Sequence, residues 1–189
     1  MVQGAATGTG HGAALDLRLL VARAQEGDRA ALEELYLLHF DRIYAYLYVS
    51  VHNRHDAEDL TTQTFLHMLE AIGRFRWQSA PFSAWLFRIA HNLAVDHFRR
   101  RRRERVEDEV SEPDVEAPAE AEALDSIAQY GMLELIDRLS PEQRQVLTLK
   151  FYLGFGNAET AAILGKTEGA VKSLQHRALA SLEKQLVHA

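Results

Sequence analysis

Apolar residues recur every three or four positions along most of the chain, which is the spacing of one face of an α-helix. In the first half this pattern predicts a helix ending at Gly27 and a second helix that Asp28 caps. A third helix begins near His55 with acidic residues in its first turn and ends at Gly73, and a fourth begins at Ser83. No stretch alternates apolar and polar residues with period two, so the pattern predicts an all-α fold without a sheet.

The second half begins with two amphipathic helical patterns, over 124–139 and over 140–154, the latter with Ser140 as its N-cap. A short helix closed by Gly165 and a longer helix that Thr167 caps then follow. This is the outline of a helix-turn-helix, which places its second helix in the DNA major groove. An ordinary helical hairpin has the same outline and stays open as the alternative.

Charge is distributed unevenly along the chain. The 189 residues carry a formal charge of −6, yet the segment from 104 to 123 alone holds nine acidic side chains and one basic side chain. This Glu/Ala/Pro-rich segment lacks the apolar surface needed to offset chain entropy, so a solvated, flexible linker is expected there. The predicted organisation is a disordered lead-in (1–14), a first helical domain (15–103), the acidic linker (104–123) and a second helical domain (124–189).

Several function classes are disfavoured by what the sequence lacks. It contains no cysteine, which excludes a disulfide scaffold, a cysteine-ligated zinc site and a cysteine nucleophile. Its nine histidines form no recognised ligand arrangement, so we expect no metal, no cofactor and no catalytic residue. There is no signal-peptide pattern, and the longest apolar runs fall short of the ~20 residues of a membrane helix. A cytoplasmic protein that is not an enzyme is expected.

The fourth predicted helix ends in a block of arginines, Arg99 to Arg103 and Arg105. Side chains splayed around a helix end are well placed to neutralise DNA phosphates, which makes binding salt-dependent. A merely solvated helix end is the alternative. We further hypothesise that the linker acids screen these arginines in the free protein.

Four stretches of the chain resemble, in order, the characteristic blocks of extracytoplasmic-function (ECF) sigma factors. They are HDAEDLTTQTFLHML, FSAWLFRIAHNLAVDHFRRRRR, LSPEQRQVLTLKFYLGF and AETAAILGKTEGAVKSLQHRAL. The resemblance extends from about Asp16 onward and implies that the first domain is sigma region 2 and the second is sigma region 4. It also implies a function: binding core RNA polymerase, recognising the minus-ten and minus-thirty-five promoter elements, and promoting DNA opening for transcription initiation.

By this resemblance, the third helix docks on the beta-prime clamp helices of the polymerase. The matching residues are Asp56, Glu58, Asp59, Thr62 and Gln63. Carboxylates suit a basic polymerase surface and steer the encounter, although acids at a helix start also stabilise the helix dipole. The family more often has Gln and Glu where Thr62 and Gln63 stand, so this sequence departs from the common pattern at these two positions.

The resemblance implies that the minus-ten element is read as a melted strand with a flipped base. The matching residues are Phe75, Trp77, Ile89, Asn92, Arg99 and Arg100. Apolar and aromatic groups restore part of the lost base stacking, and an amide hydrogen-bonds a base edge. A role for Phe75 and Trp77 in the core is the competing interpretation.

For the minus-thirty-five element the matching residues are Lys172, Ser173, His176 and Arg177, on the second helix of the helix-turn-helix. Many family members have arginine where Leu174 and Leu179 stand, so weaker phosphate anchoring is expected here. The implied partners are core RNA polymerase (beta-prime clamp helices and beta flap), promoter DNA and an anti-sigma factor. A DNA-binding regulator that does not bind polymerase is the alternative, but it gives no reason for the acidic third helix.

Overall fold

The computed structural model describes residues 9–77, 80–107 and 138–187. All regular elements in these ranges are helical, as the hydrophobic pattern predicts. The α-helices are α1 (Thr9–Gln25), α2 (Arg29–Val51), α3 (Arg54–Ala71), α4 (Phe82–Glu107), α5 (Pro141–Leu147), α6 (Asn157–Leu164) and α7 (Glu168–Val187). A 3₁₀ turn (Ile72–Arg74) follows α3, and a π-helical turn (Thr148–Tyr152) follows α5.

Helix starts in the first half are fixed by short polar side chains. An Asp28 carboxylate oxygen accepts hydrogen bonds from the backbone N–H of Ala30 (2.9 Å) and of Ala31 (3.3 Å), which caps α2 as predicted. Asn53 caps α3 in the same way, since its side-chain oxygen accepts from the N–H of Asp56 at 2.9 Å. α2 packs against α1, α3 and α4, so it forms the centre of this half.

Several boundaries differ from those predicted. α1 begins at Thr9 rather than at 15, and α4 extends past the predicted domain end at 103 to Glu107. Glutamate and arginine are good helix formers, which explains the extension of α4 to Glu107; the residues added to α1 include Gly10 and Gly12, so helix propensity does not explain that extension. α3 ends at Ala71, before Gly73, and α4 begins at Phe82. The rest of the acidic linker and most of the helix predicted over 124–139 lie outside the described residues.

The second half contains the predicted helix-turn-helix. Ser140 and Gln143 form a reciprocal cap at the start of α5. The single helix predicted over 140–154 is wrong in part, because after Leu147 the chain widens into the π-helical turn; there the N–H of Leu153 bonds the carbonyl of Thr148 at 2.9 Å. α6 then ends at Gly165 in the left-handed conformation (φ 62°), and α7 packs against both α5 and α6.

The two halves pack against each other in this structure. α4 lies against α6, and α2 lies against α5. The rings of Phe87 on α4 and Phe155 before α6 meet edge to face with their centroids 4.9 Å apart. Arg42 on α2 donates a hydrogen bond to the carbonyl of Leu153 at 2.7 Å. Most buried apolar residues of both halves therefore form one continuous core, while Leu139, Leu147 and Ala178 form a separate cluster in the second half.

Candidate polymerase and nucleic-acid interfaces

The exposed face of α3 combines acidic and polar side chains. Glu58 and Asp59 retain 51% and 64% of their side-chain exposure, and each pairs with a residue of its own helix, Arg54 at 2.9 Å and His55 at 3.9 Å. Exposed pairs of this kind contribute little to stability, so both carboxylates are available to a partner. Thr62 is also exposed.

The same face continues into apolar surface. Leu66 is 54% exposed and Leu69 is 48% exposed, while Gln63 is half-buried beside them. Exposed leucines next to carboxylates give a surface that combines apolar contact area with charges that steer a basic partner. The residues predicted to bind polymerase thus share one helix face, with the exception of Asp56, which the structure directs towards α4.

The aromatic residues before α4 form a cluster inside the first half. Phe75 is only 6% exposed, and its ring centroid lies 5.2 Å from Trp77, 5.4 Å from Phe82 and 5.0 Å from Trp85. Trp77 is half-buried, and the guanidinium of Arg18 lies 4.9 Å from its ring centroid. Phe75 is therefore part of the core in this structure, whereas Trp77 and Trp85 are both partly exposed.

Gln25 holds the turn that carries Phe75. Its side-chain amide donates hydrogen bonds to the carbonyls of Ile72 (2.9 Å) and Phe75 (2.8 Å), joining the end of α1 to the segment after α3. A polar residue at the end of an amphipathic helix gives no sequence signal for a partner almost fifty positions away. Sequence reasoning missed this residue for that reason.

Asn92 lies in a cleft between α4 and the turn of the helix-turn-helix. The cleft has a volume of about 310 Å³, and its lining includes Arg88, His91 and Arg99 from α4 and Gly165 from the turn. Asn92 is exposed, whereas Ile89, one turn earlier, is half-buried. Arg88 lies four positions before Asn92, so helix periodicity could have predicted that the two share a face of α4. The sequence could not have predicted that the turn at Gly165 approaches this face.

His91 is neutral at physiological pH. Its burial lowers its pKa to about 4, and the positive charges of Lys166 and Arg88 act in the same direction. Its Nδ1 lies at hydrogen-bond distance, 3.0 Å, from the hydroxyl of Tyr46, which is fully buried. The cleft therefore contains an uncharged histidine, His91, beside Asn92, and Arg88 and Arg99 are also part of its lining.

The predicted phosphate ligands at the end of α4 are accessible. Arg99 and Arg100 are both exposed. Arg99 Nη1 lies 3.6 Å from the carboxylate of Asp96, but both side chains are well exposed and the pair is weak. Arg99 follows Asn92 by seven residues, about two helical turns, so the two side chains lie on the same helix face.

The predicted recognition helix, α7, is oriented by its apolar residues. Val171, Leu174 and Ala178 are buried against α5 and α6, which leaves the opposite face free. The four residues predicted to contact the minus-thirty-five element are all exposed on that face: Lys172, Ser173, His176 and Arg177. Thr167 caps the helix by accepting from the N–H of Ala170 at 3.2 Å. The buried face of α7 thus fixes the helix, and its exposed face is available to DNA, as a base-reading helix requires.

The described residues, 9–77, 80–107 and 138–187, contain neither a metal-binding cluster nor a membrane-spanning helix. In these ranges, histidine and acidic side chains form no group of three or more that could hold a metal ion. None of the helices in the same ranges is both long and apolar enough to span a membrane.

Each half of the chain matches a known protein family. Residues 21–104 match Sigma-70 region 2, and residues 131–182 match Sigma-70, region 4. The first match runs from the end of α1 through most of α4, and the second covers α5, α6 and most of α7.

The curated relatives of the chain are RNA polymerase sigma factors. ECF RNA polymerase sigma factor BldN of Streptomyces coelicolor is 42% identical over 170 residues, which cover 88% of this chain and 64% of BldN. ECF RNA polymerase sigma factor SigD of Mycobacterium tuberculosis is 32% identical over 180 residues, which cover 92% of this chain and 85% of SigD. The chain spans 64% of the length of BldN and also of SigE from Mycolicibacterium smegmatis.

Two solved structures share the fold. The sigma factor RpoE from Bartonella quintana, solved with the anti-sigma factor NepR, matches with a TM-score of 0.69 and 28% identity, over 82% of this chain and 95% of that chain. CnrH, solved with the cytosolic domain of CnrY, matches with a TM-score of 0.68 and 27% identity, over 90% of this chain and 97% of that chain. Taken together with the two region matches and the relatives, these likenesses show that the chain belongs to the ECF family of RNA polymerase sigma factors.

Proposed function

We propose that this protein binds core RNA polymerase, directs it to promoters with minus-ten and minus-thirty-five elements, and promotes DNA opening. The observation that carries the proposal is the exposed face of α4, which presents Asn92 together with Arg99 two turns further on. An amide that can hydrogen-bond a base, followed by a cation that can neutralise a phosphate, is what reading a melted strand requires.

The proposed domains follow the helices rather than the predicted boundaries. Region 2 comprises α1 to α4, and region 4 comprises α5 to α7. The family matches over 21–104 and 131–182 support this division. Polymerase then holds both regions, which makes two weak DNA contacts effectively intramolecular.

The proposed polymerase contact is the exposed face of α3. Glu58, Asp59, Thr62 and Gln63 meet the beta-prime clamp helices, and Leu66 adds apolar area to that contact. Asp56 is not placed in this contact, because its side chain is mostly buried against α4. The beta flap is the proposed partner of region 4.

The proposed minus-ten contact consists of Asn92, Ile89 and Trp77 with the phosphate ligands Arg99 and Arg100. Phe75 supports the turn from within the core, since it has almost no exposed surface. The proposed minus-thirty-five contact is the outer face of α7, with Lys172, Ser173, His176 and Arg177.

Regulation and location follow from the family at a coarser level. ECF sigma factors direct a polymerase and are not themselves enzymes, so we assign this chain no bond chemistry, no catalytic residue and no cofactor. A cytoplasmic location fits its proposed partners. RpoE was solved with an anti-sigma factor, and an anti-sigma partner is accordingly part of this proposal.

The replacement Asn92→Ala tests the observation that carries the proposal. It should lower the yield of open complex about tenfold, the equivalent of one lost hydrogen bond to a base, and the fold should be preserved because Asn92 is exposed. The measurement is open-complex formation on a promoter mapped by reconstituted transcription. Binding of the same variant to core polymerase is the control and should remain at the wild-type level. Loss of core binding, or normal promoter opening, would contradict the assignment.

A further inference from the structure

The carboxylate of Asp56 lies between the start of α3 and the arginine-rich end of α4. Its Oδ2 accepts a hydrogen bond from Arg101 Nη1 at 3.2 Å and lies 3.3 Å from Nε2 of His97. The side chains of Asp56 and His97 retain 22% and 14% of their exposure. The N–H of Asp56 is held at the same time by the side chain of Asn53 at 2.9 Å, so this acid is fixed in place.

This arrangement distinguishes Asp56 from the other acids of α3. Glu58 and Asp59 pair with residues of their own helix and are well exposed, whereas Asp56 pairs with a helix that lies 45 residues further along the chain. In the pair with Arg101 only the carboxylate is largely shielded from water, since the arginine side chain is 52% exposed; a partly shielded pair is still stronger than one exposed on both sides. Asp56 therefore already has a partner within the same chain, Arg101.

Helix geometry separates Arg101 from the base-reading face of α4. Arg101 follows Asn92 by nine residues, about two and a half turns, so it lies on the opposite side of the helix. Arg99 lies on the same side as Asn92, and Arg100 lies between the two sides and is exposed. Asp56 thus binds the arginine that faces away from the cleft.

We propose that Asp56 is the internal counter-ion of the arginine run, a positioning residue that holds Arg101 against α3 and leaves Arg99 and Arg100 as the phosphate ligands. Arg101 then contributes no phosphate contact, and Asp56 makes no contact with polymerase. The proposal deepens the function proposed above and rests on it for the identity of the two partners. The carboxylate that neutralises Arg101 therefore belongs to region 2 and not to the acidic linker.

The test is the salt dependence of binding between the full-length chain and a short random-sequence DNA duplex, measured from about 50 to 200 mM salt. Each phosphate contact adds about 0.9 to the slope of log K against log salt concentration. Asp56→Asn releases Arg101 and should steepen the slope by about 0.9, which is about a threefold larger loss of affinity over this range. Arg101→Gln should leave the slope unchanged.

Two further variants complete the experiment. The double variant Asp56→Asn/Arg101→Gln should restore the wild-type slope, which a general loss of structure would not do. Arg100→Gln is the matched control, because Arg100 is an exposed neighbour, and it should lower the slope by about 0.9. The proposal is overturned if Arg101→Gln lowers the slope as Arg100→Gln does, or if Asp56→Asn leaves it unchanged.

Binding to core polymerase separates this inference from the proposed function. Asp59→Asn should weaken core binding roughly two- to fivefold, whereas Asp56→Asn should leave it at the wild-type level. An equal loss in both variants would overturn the inference about Asp56. No loss with Asp59→Asn would contradict the proposed polymerase contact, while the DNA measurements would still decide the role of Asp56.

Discussion

Residue type alone does not decide whether a side chain of this protein packs in the core or is available to a partner. Phe75 was predicted to help form a base pocket, with a core role as the alternative, and the structure places it in the core. Aromatic side chains suit both tasks, so residue type and spacing alone could not separate them. Asn92 is different, because its side chain is exposed in the structure and has no comparable place in the core.

His91 provides a prediction of pH dependence. Its pKa falls from the ordinary 6.5 to about 4 in the folded chain, because burial and the charges of Lys166 and Arg88 disfavour the protonated ring. The unfolded chain therefore binds more protons between these two values, so the stability that this residue contributes is present above about pH 6.5 and is lost as the pH falls towards 4. In His91→Gln that part of the pH dependence should be absent.

The measurement is the free energy of unfolding of both proteins by denaturant from about pH 7 to about pH 4. Because the carboxylates titrate in both proteins, the difference between wild type and variant isolates His91. That difference should fall as the pH is lowered. Parallel pH profiles would show that His91 has a similar pKa in the folded and unfolded chain.

Helices and their ends are the part of the structure that sequence predicts best. Caps depend on residues next to each other in the chain, and those at Asp28, Ser140 and Thr167 are confirmed. The π-helical turn after Leu147 was missed, because the apolar pattern continues through it. The contact between Asp56 and Arg101 was also missed, since nothing in a local pattern reports which helices become neighbours.

The turn between α6 and α7 sets the position of α7, the proposed recognition helix. Gly165 has a φ of 62°, a left-handed conformation that costs other residues about 1–2 kcal/mol. A β-carbon there would meet no atom within 4 Å, so backbone strain is the only expected cost of Gly165→Ala. This variant should lower the free energy of unfolding by about 1 kcal/mol.

Gly73→Ala is the matched control for that measurement, made by chemical denaturation. A β-carbon at Gly73 would likewise meet no atom within 4 Å, but Gly73 lacks a positive φ. Alanine should be neutral there or stabilising by up to about 1 kcal/mol. Equal destabilisation by both variants would contradict the strain assigned to Gly165.

Regions 2 and 4 pack together through α4 against α6 and α2 against α5, and Arg42 adds polar and ring contacts between them. The guanidinium of Arg42 lies 5.7 Å from the ring centroid of Phe87 and 5.4 Å from that of Phe155, and it bonds the carbonyl of Leu153. This arrangement places the turn at Gly165 against the cleft that contains Asn92. The turn therefore lies beside Asn92, which remains exposed in the cleft.

Arg42→Ala should loosen this packing, because it removes the hydrogen bond and both ring contacts at once. Since the sequence has no cysteine, two can be introduced specifically for fluorophores at the exposed positions Glu34 and Glu183. The distances between the labels should become longer and more broadly distributed in Arg42→Ala, and they should be unchanged in the exposed control Arg29→Ala. An unchanged distribution in Arg42→Ala would show that the apolar contacts alone hold the two regions together.

Selectivity for a promoter is the property that depends on the whole assembly, because each region alone offers few base contacts. The most direct test compares the affinity for a mapped promoter with that for a scrambled sequence, for the chain alone and for its complex with core RNA polymerase. The chain alone should bind both sequences weakly and about equally, and the complex should strongly prefer the promoter. Tight, selective promoter binding by the chain alone, with no association with core polymerase, would contradict the account.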